Sequence, residues 1–494
     1  MFYIGIDSGT QSTKAVVLDF ESGEIVADAS QAYSLIPNLP AGHLEQNPGD
    51  WIDAVKNTIS SCLEQLGDRR GDVRGIGVSG QQHGLVVLDQ NDEVVRPAKL
   101  WCDTSTTAQC DQFAEAFGGT AGLIEKAGNA MLTGYTIPKL LWLKQNEPEQ
   151  FAKVKSVLLP HDYINFWLTG VKRMEFGDAS GMGILNVRTR QWDSELIDFV
   201  DTRVHEMLPE LGSSNVAHGT VRSDLASEWG LGSDVVVSSG GGDNMMGAIG
   251  TGNISNGIIT ASFGTSGTLY GCAEKPIIDP NGEIAAFCDS TDHWLPLACT
   301  MNVTVVTEQV RGWFGWDLAE LEKQVKSVPA GAGGVSFLPF LNGERTPNLP
   351  NGTGVLHGLN SSSGSPAHIA RAAMEGATLG LGYGLRRFDA LGLTPGEIRL
   401  TGGGSKSSVW RQISADVFGV PVVGLATAEG AGLGGAIQAA HADGKGSYVD
   451  LCERFVSLDE STRCVPNPDL LPLYKDSLDR QIKLTEVLKA ADLL

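Results

Sequence analysis

The sequence predicts an α/β fold built from two related domains. Strand-like and helix-like segments alternate along its 494 residues, a length that exceeds what one hydrophobic core usually fills. Adjacent pairs of apolar strands joined by tight turns add antiparallel pairing, so a purely parallel sheet fits poorly. Three glycine-rich motifs also recur in the same order in both halves of the chain. We therefore expect an N-terminal domain at 1–245 and a C-terminal domain at 246–494.

The individual elements follow from hydrophobic periodicity and from glycine-rich breaks. Strands are predicted over the segments YIGID, AVVLD, VRGIGVSG, GLVVLD, SDVVVSSG, GIITASFG and EIRLTGGG. Helices are predicted over 50–66, 368–391, 409–418 and 430–442. Asp50 is the expected N-cap of the first of these helices, because aspartate is favoured at that position.

The internal repeat pairs three motifs from the two halves. GTQST at 9–13 matches GTSGT at 264–268, VRGIGVSGQ at 73–81 matches EIRLTGGGS at 397–405, and GDNMMGAIG at 242–250 matches GAGLGGAIQ at 430–438. The third pair differs in chemistry, since the positions of Asp243 and Asn244 in the first motif are taken by Ala431 and Gly432 in the second. We interpret the two versions as unlike walls of a cleft. A reacting substrate would lie at the acid and a non-reacting group at the small residues.

Charge and cysteine content narrow the class of protein. A net charge of −22 repels phosphate backbones and anionic lipids, so nucleic acid and membrane are not expected partners. No run reaches the roughly 18 apolar residues that span a bilayer, and the N-terminus lacks a signal-peptide pattern. Eight scattered cysteines without a CxxC pair indicate reduced thiols rather than disulfides or a zinc site. We expect a cytoplasmic enzyme.

The two repeated turns are candidate phosphate sites, although either alone would fit an ordinary β-hairpin. Backbone N–H groups in tight turns bind anions. The candidate residues are Gly9, Thr10, Ser12 and Thr13 in the first turn and Gly264, Thr265 and Ser266 in the second. Lys14 either adds a positive charge or is a solvated surface residue. Asp7 supplies a carboxylate suited to hydrated Mg²⁺, which prefers oxygen ligands and substrate phosphates. The two hairpins together would then hold a polyphosphate from both sides.

Two familiar nucleotide motifs do not explain these turns. GIGVSG at 75–80 has the GxGxxG spacing of a dinucleotide site, but it continues into another strand-like segment instead of a helix. The sequence also lacks the GxxxxGK[ST] pattern of a P-loop. Any nucleotide is therefore expected to bind without either motif.

Asp243 is the candidate catalytic acid or base. It follows three glycines after an apolar strand and precedes a helix-like segment. A helix N-cap is the simpler interpretation, but three glycines exceed what a cap needs and let a bulky group approach. Phosphoryl transfer to an alcohol uses a carboxylate that takes the proton of the attacking hydroxyl. The sequence favours this general-base role.

Three further segments carry polar groups suited to a sugar or a nucleotide. GQQHG at 80–84 places Gln82 and His83 in a glycine-flanked turn, where amides and an imidazole suit a polyhydroxylated ligand. In LWCDTS, Trp101 is either a core residue or a sugar platform, and Asp103 is either a cap or a hydroxyl ligand. The segment TGGGSKSSVWRQ could seat an adenosine at Gly402, Gly403, Gly404, Ser405 and Ser408.

Longer blocks resemble those of the FGGY carbohydrate kinases. GYTIPKLLWLKQN at 134–146 and GVLHGLNSSSGSPAHIARAAME at 354–375 resemble the two signatures of this family. GHLEQNPGDW, FLPFLNGERTP and GGGDN also resemble family blocks. The resemblance covers nearly the whole chain and is weakest at the C-terminal end. It implies duplicated actin/hexokinase/Hsp70-like (ribonuclease H-like) domains with mixed sheets and an interdomain cleft.

The resemblance also implies an activity and residue roles. Family members phosphorylate sugars with ATP and Mg²⁺, which implies Asp243 as the base and Asn244, Gln82 and His83 as sugar contacts. Asp7, Thr10 and 264–266 would lie around Mg²⁺ and the phosphates, and 402–405 at the adenosine. QQHG and LWCDTS resemble the blocks of members that convert the ketopentose D-xylulose to D-xylulose 5-phosphate, although some carry methionine where this chain has Gln82. A homodimer is a further possibility.

Two alternatives remain open from the sequence. A sibling kinase of the family would act on L-ribulose, D-ribulose or another polyol, and the pocket residues do not rank these substrates. A chaperone-like or filament-forming ATPase of the same superfamily would not need GQQHG and GGGDN. A chaperone would also need a peptide-binding domain, for which residues 443–494 leave little room.

Overall fold

The computed structural model describes residues 1–427 and 429–494, which form two compact units. Unit 1 contains Met1–Ile254, Cys272–Leu295 and Glu429–Val456. Unit 2 contains Ser255–Gly271, Pro296–Ala428 and Ser457–Leu494. Both units are therefore discontinuous in sequence, whereas the predicted domains at 1–245 and 246–494 are continuous.

The strands are short outside the two large sheets. In chain order they are β1 Phe2–Ser8, β2 Ser12–Asp19, β3 Ile25–Ala32, β4 Glu45–Gln46, β5 Val73–Gly80, β6 Val86–Leu88, β7 Ala98–Lys99, β8 Ser156–Leu158, β9 Arg173–Glu175, β10 Leu185–Asn186, β11 Gln191–Trp192, β12 Glu210–Gly212, β13 Gly219–Thr220, β14 Val236–Val237, β15 Gly241–Gly242, β16 Ile258–Phe263, β17 Gly267–Gly271, β18 Ala285–Cys288, β19 Trp294–Thr300, β20 Ser336–Pro339, β21 Gly354–His357, β22 Glu397–Thr401, β23 Val422–Leu425 and β24 Leu458–Cys464.

The α-helices vary from one turn to seven turns in length. In chain order they are α1 Pro48–Leu66, α2 Thr107–Ala116, α3 Gly119–Ala127, α4 Thr136–Asn146, α5 Pro148–Phe151, α6 Pro160–Thr169, α7 Phe176–Ala179, α8 Ser194–Val200, α9 Val204–Met207, α10 Ser223–Trp229, α11 Asp243–Gly250, α12 Thr304–Phe314, α13 Leu318–Ser327, α14 Pro366–Ala390, α15 Ser408–Phe418, α16 Gly430–Ala442, α17 Tyr448–Phe455 and α18 Leu471–Ala490. No helix in the described ranges is both long and apolar enough to cross a membrane.

The sheet of unit 1 is mixed and places two site segments side by side. Its order is β13-β14-β5-β1-β2-β3, and β15 also pairs with β5. β1 runs antiparallel to β2 and parallel to β5, so Asp7 lies opposite Lys14 on one side and Ser79 on the other. β1 and β5 are buried along almost their whole length, which explains their near-continuous apolar sequences.

The sheet of unit 2 repeats this arrangement. β16 runs antiparallel to β17 and parallel to β22, as β1 does with β2 and β5. The predicted duplication of a hairpin beside a parallel strand is thus confirmed. The turns differ in length, because residues 9–12 separate the paired Ser8 and Thr13 whereas only 264–266 separate Phe263 and Gly267. Counted back from the first glycine of each turn, Ser262 takes the position of Asp7.

Glycines let helix α16 pack backbone-to-backbone inside unit 1. A Cβ atom on Gly5 of β1 would lie 1.7 Å from the carbonyl oxygen of Gly432, and one on Gly77 of β5 would lie 2.0 Å from that of Gly435. Helix α11 approaches equally closely, since a Cβ on Gly250 would lie 1.7 Å from the oxygen of Gly430. Gly432 therefore packs against strand β1, which contradicts its interpretation as part of a ligand wall.

The ends of several elements differ from the prediction. Helix α1 begins at Pro48 after the N-cap Asn47, so Asp50 lies in its first turn and is not the cap. Proline fits this first helical position because its missing N–H would have no partner there. The strand predicted within 233–240 shrinks to Val236–Val237, and Gly240 beyond it has a left-handed φ of 72°. Helix α16 covers the predicted range 430–442.

Candidate active site

Asp243 is the first residue of helix α11 in unit 1. The N-cap is Gly242, and no side chain caps this helix, so the carboxylate of Asp243 is not used as a cap. Its Oδ1 atom accepts hydrogen bonds from the backbone N–H of Asn244 at 2.8 Å and from Asn244 Nδ2 at 2.9 Å. A Cβ on Gly242 would lie 2.6 Å from Gln82 Cγ. The third glycine is therefore needed to bring Gln82 beside Asp243.

The carboxyl group of Asp243 holds its proton more tightly than an ordinary aspartate. Burial, together with the nearby carboxylates of Asp7 and Asp178, raises its pKa to about 7 against the hydrogen bonds from Asn244. A pKa near neutral suits a group that must accept a proton at physiological pH.

Asp7 ends the buried part of strand β1. Ser79 on the neighbouring strand donates its hydroxyl to Asp7 Oδ1 at 3.1 Å. Burial and the nearby Glu429 raise the pKa of Asp7 to about 6, against the hydrogen bond from Ser79 and the positive charge of Lys14. Lys14 itself forms a hydrogen-bonded ion pair with Glu429. Much of the positive charge predicted at this turn is therefore compensated within unit 1.

The surroundings of Asp7 fit a hard cation better than a transition metal. Two clusters in the described ranges have metal-like donors within 4.8 Å of one another, Cys272–Asp289–His293 and His43–Glu45–Asp103, and Asp7 belongs to neither. A cation at Asp7 would thus take one carboxylate and complete its shell with water and phosphate oxygens, as Mg²⁺ prefers. In the second cluster the ammonium of Lys99 already contacts all three side chains.

A network of side chains holds the first phosphate turn. Trp101 Nε1 donates to Thr10 Oγ1 at 2.9 Å, and Gln46 Nε2 donates to the Thr10 carbonyl at 2.7 Å. The Thr10 hydroxyl in turn lies 3.3 Å from Gln81 Oε1. The indole N–H of Trp101 therefore fixes the side chain of Thr10.

Side-chain hydrogen bonds from Tyr33 and Thr13 hold the two ends of the same turn. Tyr33 donates its hydroxyl to the carbonyl of Gly9 at 2.6 Å, and Thr13 Oγ1 donates to Ser8 Oγ at 3.2 Å. Thr13 is fully buried, whereas Ser12 is partly exposed. Within the predicted set, Ser12 is thus better placed than Thr13 to meet a ligand.

His83 has a left-handed backbone conformation, and two aromatic rings pack against its imidazole. Its φ of 62° is left-handed, which is uncommon for a residue with a side chain and concentrates at functional sites. The ring centroid lies 5.1 Å from that of Tyr135 and 5.5 Å from that of Phe287. Lys139 donates to the His83 carbonyl at 2.7 Å. Sequence reasoning missed Tyr135, Lys139 and Phe287 as neighbours of His83, because the first two lie at the start of helix α4 and the third in strand β18.

Asp103 is fully buried and its two oxygens are engaged by protein donors. It accepts hydrogen bonds from the backbone N–H groups of Leu44 at 2.9 Å and Ser105 at 3.0 Å, and from Lys99 Nζ at 3.1 Å. Burial alone would raise its pKa, but the Ser105 hydroxyl, the Leu44 N–H and Lys99 together lower it. These bonds hold the loop that carries Trp101.

In unit 2 the second turn is fixed to the start of helix α12. The backbone N–H of Thr304 donates to the Gly264 carbonyl at 3.0 Å, and that of Val303 donates to the Thr265 carbonyl at 3.1 Å. The side chain of Thr265 is exposed, and Gly264 and Ser266 are partly exposed. The carbonyl groups of Gly264 and Thr265 therefore hold the turn in place, and the Thr265 side chain is left exposed to solvent.

The glycine loop after strand β22 has one open position. A Cβ on Gly402 would lie 2.7 Å from backbone atoms of Phe263, and one on Gly404 would lie 3.0 Å from Phe263 Cβ. A Cβ on Gly403 would meet nothing within 4 Å. Ser405 donates its hydroxyl back to the Gly402 carbonyl at 2.7 Å, and Ser408 Oγ lies 3.5 Å from Lys326 Nζ. Two glycines thus serve packing, and Gly403 faces open space.

Comparison with known proteins assigns both halves of the chain. The model of the FGGY family of carbohydrate kinases, N-terminal domain, matches residues 2–250, and the model of the C-terminal domain matches residues 259–442. A curated xylulose kinase from Haemophilus influenzae is 45% identical over 486 residues, which are 97% of this chain and 98% of that protein.

Solved structures agree with the fold. A ligand-bound xylulose kinase from Lactobacillus acidophilus has a TM-score of 0.93 at 28% identity and covers 99% of this chain and 98% of its own. A gluconate kinase from the same organism has a TM-score of 0.92 at 28% identity with the same coverage. The predicted duplicated α/β fold is thus confirmed, while structural similarity alone does not separate these two sugar substrates.

Proposed function

This chain belongs to the FGGY family of carbohydrate kinases, and from that premise we propose that it transfers the γ-phosphate of ATP to the terminal hydroxyl of D-xylulose. The observation that carries the proposal is the hydrogen-bonded group of Asp243, Asn244 and Gln82 in unit 1. Its carboxyl group has a pKa of about 7, and the Asn244 amide donates hydrogen bonds to Asp243 and to Gln82. The 45% identity with a xylulose kinase over nearly the full length supports this choice of sugar.

Asp243 is the general base in this proposal. The ionised carboxylate takes the proton of the terminal hydroxyl while the hydroxyl oxygen attacks the γ-phosphorus. One O–H bond breaks and one P–O bond forms as the bond to the β-phosphate oxygen breaks, which gives D-xylulose 5-phosphate and ADP. The first turn of helix α11 fixes the carboxylate, because Asn244 donates to it from both its backbone and its side chain.

Gln82, His83 and Asn244 are the proposed sugar contacts. Amide and imidazole groups offer both donors and acceptors, which a row of hydroxyls requires. Trp101 and Asp103 were open between sugar contact and structure. We propose structural roles for both, since Asp103 is buried among protein donors and Trp101 anchors Thr10 through its indole N–H.

Both phosphate turns and the glycine loop are proposed to hold the nucleotide. The first turn would contribute Gly9, Thr10 and Ser12, with Thr13 and Lys14 supporting it through Ser8 and Glu429. The second would contribute 264–266. The open Gly403 would admit the adenosine, with Gly402, Gly404, Ser405 and Ser408 shaping the loop around it. Mg²⁺, when bound at Asp7, would neutralise the phosphate charge that develops during transfer.

One alternative, a sibling kinase, has a specific observation in its favour. The likeness to a gluconate kinase shows that other sugar substrates fit this fold, so L-ribulose, D-ribulose and other polyols remain candidates. No observation favours an ATPase of the same superfamily that acts without a sugar substrate. It would leave the polar group around Asp243 without a purpose.

A coupled ADP-release assay tests the proposal. The wild-type protein is given ATP and Mg²⁺ with D-xylulose, L-ribulose, D-ribulose, gluconate or glycerol in turn, and with no sugar as the baseline. We expect D-xylulose to give the highest kcat/KM. A higher kcat/KM for another compound would assign the chain to a sibling kinase, and ADP release that no sugar alters would favour the ATPase.

Three further expectations are proposals as well. All eight cysteines are free thiols, which supports a cytoplasmic location. A homodimer is proposed only from the family resemblance, and size-exclusion chromatography with light scattering would test it. We also keep the domain assignment of 1–245 for sugar and base and 246–494 for the nucleotide.

A further inference from the structure

A buried polar cluster lies behind His83 in unit 1. His161 Nδ1 lies 3.0 Å from Asp178 Oδ2, and His161 Nε2 lies 3.0 Å from Asp162 Oδ1. His161, Asp162 and Asp178 are each at most 1% exposed. Burying three ionisable side chains is costly unless they pair, and the two contacts of His161 provide that pairing.

The position of Asp178 is fixed from the backbone outward. Glu175 caps helix α7 by accepting hydrogen bonds from the backbone N–H groups of Asp178 at 2.5 Å and Gly177 at 2.6 Å. Ser214 in turn donates its hydroxyl to Glu175 at 2.5 Å. The Asp178 carboxylate therefore has little freedom to move.

The second oxygen of Asp178 faces His83. Asp178 Oδ1 lies 4.0 Å from Nδ1 of the His83 ring. Burial raises the pKa of Asp178, but His161 and the backbone N–H of His83 stabilise its ionised form. Gly181 packs against the same edge of the ring, since a Cβ on Gly181 would lie 2.1 Å from His83 Cε1 and 2.2 Å from His83 Nδ1. Asp178 thus joins His161 to His83.

We propose that Asp178, held by His161, is a positioning residue that orients the His83 ring for sugar binding. The Nδ1–H group of His83 faces Asp178 Oδ1, which leaves Nε2 as the atom that meets a sugar hydroxyl. A carboxylate behind a histidine commonly selects one tautomer and one ring orientation in this way. The inference rests on the proposed function, because it takes His83 as a sugar contact.

The second carboxylate on His161 provides a matched control. Asp178→Asn removes the charge that faces His83, whereas Asp162→Asn removes an equally buried carboxylate on the other ring nitrogen of His161. We expect Asp178→Asn to raise the KM for D-xylulose by about tenfold or more and to change the KM for ATP by less than about twofold. Asp162→Asn should leave both constants near wild type. Equal effects of the two variants on the sugar KM would overturn the positioning role.

Nitrogen-15 NMR of histidine side chains reports the tautomer of His83, which a general loss of stability would not change. We expect His83, assigned through loss of its signal in His83→Gln, to carry its proton on Nδ1 in the wild-type protein. Asp178→Asn should shift that proton toward Nε2. An unchanged His83 tautomer in Asp178→Asn contradicts the proposal. Should Asp178→Asn fail to fold, His161→Gln is expected to give the same shift, because it removes the group that holds Asp178.

The outcomes separate this inference from the proposed function. If the wild-type protein prefers another sugar, the proposed function fails and the KM comparison uses that sugar. If no sugar stimulates ADP release, the proposed function fails again, and the His83 tautomer in the sugar-free protein still decides whether Asp178 orients the ring.

Discussion

Asn244 Nδ2 donates a hydrogen bond to Gln82 Oε1 over 2.7 Å and thereby joins helix α11 to the turn after strand β5. The same Nδ2 atom also donates to Asp243 Oδ1 at 2.9 Å. One amide therefore sets the distance between the proposed base and the proposed sugar contact.

Removing the charge of Asp243 should greatly slow turnover and spare sugar binding. We expect Asp243→Asn to lower kcat by about two to four orders of magnitude, which is the usual contribution of a general base, with the sugar KM within a fewfold of wild type. Steady-state kinetics with D-xylulose and a sugar-binding titration measure the two effects. Turnover near the wild-type rate in this variant would remove Asp243 from the base role.

The pH profile should report the raised pKa of Asp243. The carboxylate must be ionised to accept a proton, so kcat/KM for the sugar should rise with pH and level off above about 7. At pH 5 we expect roughly a hundredfold loss relative to the plateau. A profile measured with saturating Mg²⁺ and ATP checks this limb, and a flat profile between pH 5 and 7 would contradict it.

The same raised pKa should make Asp243 unfavourable for stability. The folded state binds the proton up to about pH 7 whereas the unfolded state releases it near pH 4, so the free energy of unfolding falls as pH rises between these values. Asp243→Asn should therefore melt about 2–4 °C above wild type at pH 8. At pH 4 the difference should vanish. Thermal unfolding at both pH values tests the sign.

Asp7→Ala should impair the use of Mg²⁺. The variant loses the only charged oxygen proposed for the ion, so the Mg²⁺ concentration for half-maximal activity should increase by about tenfold or more. Asp224→Ala is the control, because Asp224 is exposed and pairs with Arg222. An unchanged Mg²⁺ dependence in Asp7→Ala would argue against a metal at this position.

Gly5 and Gly49 allow a matched test of backbone packing. Alanine at position 5 would place Cβ 1.7 Å from the Gly432 carbonyl oxygen, whereas position 49 has nothing within 4 Å. We expect Gly5→Ala to destabilise unit 1 by about 3 kcal/mol or more and Gly49→Ala to be neutral or slightly stabilising. Chemical denaturation compares the two, and equal stability would refute the close packing of α16 on β1.

Much of the candidate site could be predicted from the sequence because its signals are local. Asp7 and Asp243 each follow an apolar strand, and Gln82 lies in a glycine-flanked turn, so short patterns identified them. Asp178 could not be found in this way. Its relation to His83 depends on helix α7 lying beside the turn that follows strand β5, and the glycines around 177–183 were its local signal.

The sequence by itself determined the alternation of strands and helices, the duplicated hairpins and the chemistry of Asp7, Asp243 and Gln82. These properties depend on periodicity and residue type within short segments. Only the tertiary structure decided that Lys14 pairs with Glu429, that Gly432 packs against Gly5, and that burial raises the pKa of Asp243 to about 7. Ion pairing, close backbone contact and desolvation depend on atoms that lie hundreds of residues apart in the chain, and only the folded chain brings these atoms together.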